Sequence, residues 1–132
     1  MRRVAIGLVA GVAVWVGSAL GAEAQSIQIQ PIGPTAITPS STSTIYKANI
    51  TPGSTNVVDT QLTVYKNSEP TPRYTSAMNM YSIAGTLTYS ARISLSGWGL
   101  VDGDTVRFHL ACWWDPNGQL SSNDYTVTVT GS

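Results

Sequence analysis

The chain has 132 residues, with seven basic and seven acidic side chains, one histidine and one cysteine. So short a chain leaves room for one domain behind a leader. The balanced charge supplies neither a basic patch for nucleic acid nor an acidic solvating tail, and a lone cysteine excludes a disulfide within the chain.

Arg2 and Arg3 precede an apolar run from Val4 to Leu20, and the small residues of Ala22-Glu23-Ala24 follow it. This is the pattern of a secretory signal peptide cleaved after Ala24. The run contains three glycines and is short for a membrane span, so no span is expected in the mature chain. Residues 25–132 then form a single domain that is secreted, periplasmic or held at the cell surface, with five basic and six acidic residues.

The mature start, "QSIQIQPIGPTAITP", alternates Ile27 and Ile29 with polar residues before a proline-rich stretch. It suits a strand that pairs either with its own sheet or with a neighbour's exposed edge. Residues 31–43 hold three prolines and fit an edge strand or an ordered lead-in. Tyr46, Ala48 and Ile50 mark a short strand, and Val58, Leu62 and Val64 another. Residues 67–85 show no firm pattern and are assigned one short strand. Leu87, Tyr89, Ala91, Ile93 and Leu95 form the cleanest period-two series in the chain. Val106, Phe108, Leu110 and Cys112 repeat it, as do Tyr125, Val127 and Val129. Turn signals separate these runs, among them Asp102-Gly103-Asp104 and Asp115-Pro116-Asn117-Gly118. No segment carries an apolar stripe of helical period. The expected fold is an all-β antiparallel sandwich of about seven strands, immunoglobulin-like, stabilised by its core.

The run "YSARISLSGWGLVDGDTVRFHLACWWDPNGQLSS" followed by "YTVTVTG" resembles the carboxy-terminal half of bacterial immunoglobulin-like and fibronectin type III-like domains. The resemblance covers about 45 residues, rests on common motifs, and implies a fold rather than a particular activity. Val106 stands where many type III domains carry a corner tyrosine, and the inter-sheet cysteine pair of true immunoglobulin domains is absent. Domains of this kind inside larger enzymes act as spacers or substrate tethers.

The stretch "DTVRFHLACWWDPNG" holds the chain's histidine, its cysteine and two adjacent tryptophans. His109 and Cys112 are three apart, so in a strand they face opposite sides and cannot form a nucleophile–base pair. Cys112 shares the core parity of Phe108, whereas His109 shares the solvent parity of Arg107. Asp102, Asp104, Asp115, Asn117 and Asp124 are oxygen donors of the kind calcium takes, but Asp-Gly and Pro-Asn-Gly are also ordinary turn chemistry. No metal and no cofactor is therefore assigned. The aromatics Trp98, Trp113, Trp114, Tyr74 and Tyr81 offer flat faces to sugar rings or to a protein. Trp98 precedes the strand that Trp114 ends, and eight steps of about 3.3 Å separate the two by roughly 26 Å, so they make no common platform. Trp98 and Trp114 suit end caps, and Trp113 has solvent parity. Asn49-Ile50-Thr51 matches a glycosylation sequon and is given no role.

The chain stops two residues after its last expected strand and shows no catalytic constellation. The expected function is non-catalytic protein association or surface assembly, by a protein partner or by self-association through edge strands. The candidate contacts are Ile27, Ile29, Trp98, Trp113 and Trp114, and glycan binding by the aromatics is the alternative.

Overall fold

A computed structural model describes residues 27–52, 57–114 and 120–131, without the side chains of Val57 and Trp114. The predicted leader, Asp115 and Asn117 lie outside these residues. Eight strands are formed: β1 (Gln28–Gly33), β2 (Ser43–Thr51), β3 (Val57–Lys66), β4 (Tyr74–Thr75), β5 (Asn79–Ser82), β6 (Leu87–Ser94), β7 (Thr105–Trp114) and β8 (Leu120–Thr128). They build two antiparallel sheets, one in the order β1-β2-β6, the other in the order β4-β3-β7-β8 with β5 also on β3. The molecule is an antiparallel β-sandwich, the fold class its period-two segments specify.

The two inner faces meet because apolar residues recur at every second position. Tyr46, Ala48 and Ile50 from β2 and Tyr89 and Ile93 from β6 are buried against Val58, Leu62 and Val64 of β3 and Val106, Phe108, Leu110 and Cys112 of β7. Tyr46 sits at the centre, its ring stacked on Phe108 at 5.2 Å with 24° between planes. The rings of Tyr89 and Tyr125 meet it edge-on at 6.3 and 6.5 Å. Burial of each such side chain stabilises the fold by about 1.5–3 kcal/mol.

The first strand is held at home. Gln28 to Pro31 pair with Thr51 to Ala48 of β2, with a register shift before Gly33. Ile27 is buried and Ile29 packs against the core, so of the two pairings open to this segment it takes the one within its own sheet. The chain then changes sheets. The hydroxyl of Tyr125 donates to the Pro34 carbonyl at 2.8 Å, and Ile37 forms a parallel bridge with Val129.

The turn ahead of β7 explains the Asp-Gly-Asp signal. Gly103 adopts φ 95°, a conformation that L side chains rarely take. Asp104 accepts the Val101 N–H through its carboxylate at 3.0 Å, and its own carbonyl accepts from Val129 N at 2.7 Å. Asp102 accepts from Gly131 N at 2.9 Å. The Asp104 carboxylate thus fastens the turn's own backbone, and that of Asp102 ties the turn to the segment after β8. The Val101 N–H and the Asn67 side-chain amide hold the Asp104 carboxyl below its ordinary value.

Candidate functional site

β7 sorts the unusual residues by parity. Its inward side chains are Val106, Phe108, Leu110 and Cys112, while His109 and Trp113 lie on the outer face, half-buried. Cys112 is inaccessible, and burial pushes its thiol up to about 12. His109 instead places Nδ1 2.6 Å from Oδ1 of Asp124, directly across the ladder on β8. Arg107 reaches the same oxygen at 3.4 Å and lays its guanidinium over the Tyr65 ring at 4.2 Å. This is a hydrogen-bonded surface cluster, and Thr63, opposite His109 on β3, donates its hydroxyl to the His109 carbonyl at 3.4 Å.

Register aligns a second group on that outer face. Met80 of β5 and Trp113 of β7 both stand opposite Asp59, and Trp113 stands opposite Leu120 of β8. Met80 and Leu120 are 62% and 65% exposed, so this row breaks an otherwise polar face. The next row is Gln61, Ala111 and Ser122. Sequence reasoning found Trp113 but missed Met80 and Leu120, because short or polar-rich strands carry too few apolar residues to reveal their register.

The other predicted contacts are placed elsewhere. Trp98 is 7% exposed, with the Arg73 guanidinium 5.8 Å above its ring and its carbonyl accepting from Lys66 Nζ at 2.8 Å. It closes the sandwich end opposite Trp113 and offers no open face. The Trp114 backbone pairs with Val58, and its side chain lies outside the described residues. Tyr74 and Tyr81 pack against the core, Tyr81 edge-on to Tyr89 at 6.2 Å.

The four sheet edges differ in how they are protected. β1 carries Pro31 and is followed by Pro34, each lacking a main-chain donor. The free side of β3 is covered by β4 and β5. β8 is tied to the Pro34–Ile37 segment only near and past its end, through the Tyr125 hydroxyl and through Thr130 N, which donates to the Ile37 carbonyl at 3.0 Å. β6 carries no proline, and no segment among the described residues covers it anywhere along its length. Just past β6, Leu95 N donates at 2.9 Å to the carbonyl of Thr42, the residue before β2. Antiparallel ladders alternate, so Leu87, Tyr89, Ala91 and Ile93 bond toward β2 while Thr88, Ser90, Arg92 and Ser94 turn their N–H and C=O groups outward. Those outward groups have no hydrogen-bond partner among the described residues, and β6 pairs there with β2 alone.

No family model, curated protein or solved structure matches this chain.

The arrangement therefore speaks through its own chemistry. Its main-chain donors and acceptors left unpaired among the described residues run the full length of β6, and its most exposed apolar side chains on the second sheet flank Trp113.

Proposed function

We propose that the protein is an exported, non-catalytic module that works by protein association, receiving an extended strand on β6. The observation that carries this reading is the open β6 edge, eight residues long and free of proline. Strand addition gains main-chain hydrogen bonds along such an edge, and the alternating side chains of the added strand supply selectivity. Export is supported by the arginine pair, apolar run and small-residue site at the amino terminus, which sets the mature start at Gln25. Among the described residues no helix is long and apolar enough to cross a membrane.

The test is capture from the exported fraction by tagged protein, with Ser90→Pro alongside. The Ser90 N–H points away from β2, so proline there removes an outward donor while leaving the home ladder intact. The wild type is expected to retain a partner that Ser90→Pro loses. Equal capture by both forms refutes the strand-addition reading.

A second reading is favoured by the outer face of the second sheet. Trp113, with Gln61 and Ser122 in the neighbouring row, combines a ring face with hydrogen-bonding groups, the pairing that sugar recognition uses. Retention on insoluble polysaccharide that Trp113→Ala abolishes and Ser90→Pro leaves unchanged would establish glycan binding in its place.

A further inference from the structure

The strand that β6 receives can be specified further, on the premise that the module works by association at this edge. We infer that it is β6 of a second copy, paired antiparallel about a two-fold axis through Ala91.

The edge is self-complementary in one register. Only Thr88, Ser90, Arg92 and Ser94 present outward main-chain groups, so each must face a residue of the same set. With the axis at Ala91, Thr88 lies opposite the partner's Ser94 and Ser90 opposite the partner's Arg92, and all four residues on each side are used. Moving the axis to Ser90 leaves Ser94 without a counterpart. Moving it to Arg92 leaves Thr88 without a counterpart within β6. Ala91 is also the smallest inward residue of β6, and the pair on the axis is the closely spaced, non-hydrogen-bonded kind.

The side chains leave this approach clear. Thr88 donates to Oδ1 of Asn49 at 2.8 Å, and Arg92 reaches back to Oγ of Ser43 at 3.3 Å, both partners being on β2. Arg92 is the only charged residue of β6. Charge at an edge ordinarily repels a second strand, but here it is drawn toward the strand's own sheet. Pairing fuses two three-stranded sheets into one of six strands, buries the outward main-chain groups of both copies, and leaves Trp113 and the outer face of the second sheet free.

Light scattering of the purified protein across a dilution series, with Ser90→Pro in parallel, reads the assembly. The wild type is expected to move from one chain mass toward two as concentration rises, and Ser90→Pro to remain at one. A cysteine pair tests the register independently of any folding defect from proline. Ser90→Cys with Arg92→Cys in one chain is expected to cross-link two copies under mild oxidation, while Ser90→Cys alone does not. Cross-linking by the single variant places the axis at Ser90 and overturns the register. A wild type that stays at one chain mass overturns self-pairing. If Ser90→Pro then still abolishes capture of a different protein, association at this edge stands without self-pairing; if it does not, both readings fall.

Discussion

Removing one oxygen from the centre of the core is expected to stabilise this protein. Tyr46 is fully buried, and its hydroxyl has no hydrogen-bond partner among the described residues. Burial, with smaller contributions from Cys112, Tyr89 and Tyr125, drives its ionisation far above the ordinary phenol range. A hydroxyl taken from water without a compensating bond costs about 1–3 kcal/mol. Tyr46→Phe removes that penalty and preserves the ring stack on Phe108 at 5.2 Å and the edge contacts with Tyr89 and Tyr125. Against the gain stands a space smaller than a methyl group, worth under about 1 kcal/mol. The net expectation is about 1 kcal/mol of added stability, which raises Tm by about 5 °C for a domain of this size. Urea unfolding followed by tryptophan fluorescence measures it, and an unchanged slope keeps the comparison within one two-state transition. Tyr46→Ala, which deletes the ring as well, should instead lose about 3–5 kcal/mol. A loss of 1 kcal/mol or more in Tyr46→Phe refutes the reasoning, because it means the hydroxyl is bonded in the folded protein.

Two further outcomes follow from the site geometry. Cys112, its thiol pushed up to about 12 by burial, should ignore thiol reagents at pH 8 in the folded protein and react once per chain after guanidinium unfolding; rapid native labelling would contradict its place in the core. Asp104 has a folded value below 3.8, so its contribution to stability is present above the unfolded carboxylate range and fades as pH falls through the folded value. The stability gap between wild type and Asp104→Ala, measured by urea unfolding, should therefore be widest at neutral pH and shrink below pH 3.8; a constant gap would show that the charge is immaterial.

The strands that reveal themselves in the sequence are those that bury one face. β6 and β7 alternate without interruption, and so Cys112 and His109 could be assigned to opposite faces before any coordinates. β8 is legible only from Tyr125 onward, because Ser121 and Asn123 stand at inward positions near its start and their polarity conceals the alternation. β4 and β5 hold two and four residues, too few for any period to show, and the buried Ile83 after them stands alone among exposed neighbours. The candidate site was less legible still. Trp113 could be placed on the outer face by parity, but its row with Met80 and Leu120 exists only through cross-strand register. The open edge of β6 is a property of sheet order, since its sequence resembles a central strand as much as an edge. The choice of β1 to pair at home likewise depends on what lies beside it, and its own residues allow either partner.

The change of sheet between Pro34 and Ile37 has a mechanical side. Because Ile37 and Val129 run parallel, tension applied between the chain just before Ile37 and the chain just after Val129 slides one segment lengthwise along the other. In that geometry the load falls together on the Ile37–Val129 bridge, the Thr130–Ile37 bond and the Tyr125–Pro34 bond, instead of peeling them one at a time. A pull at those two points would be resisted best at this clasp, while β6, at the far edge of the other sheet, lies away from the strain.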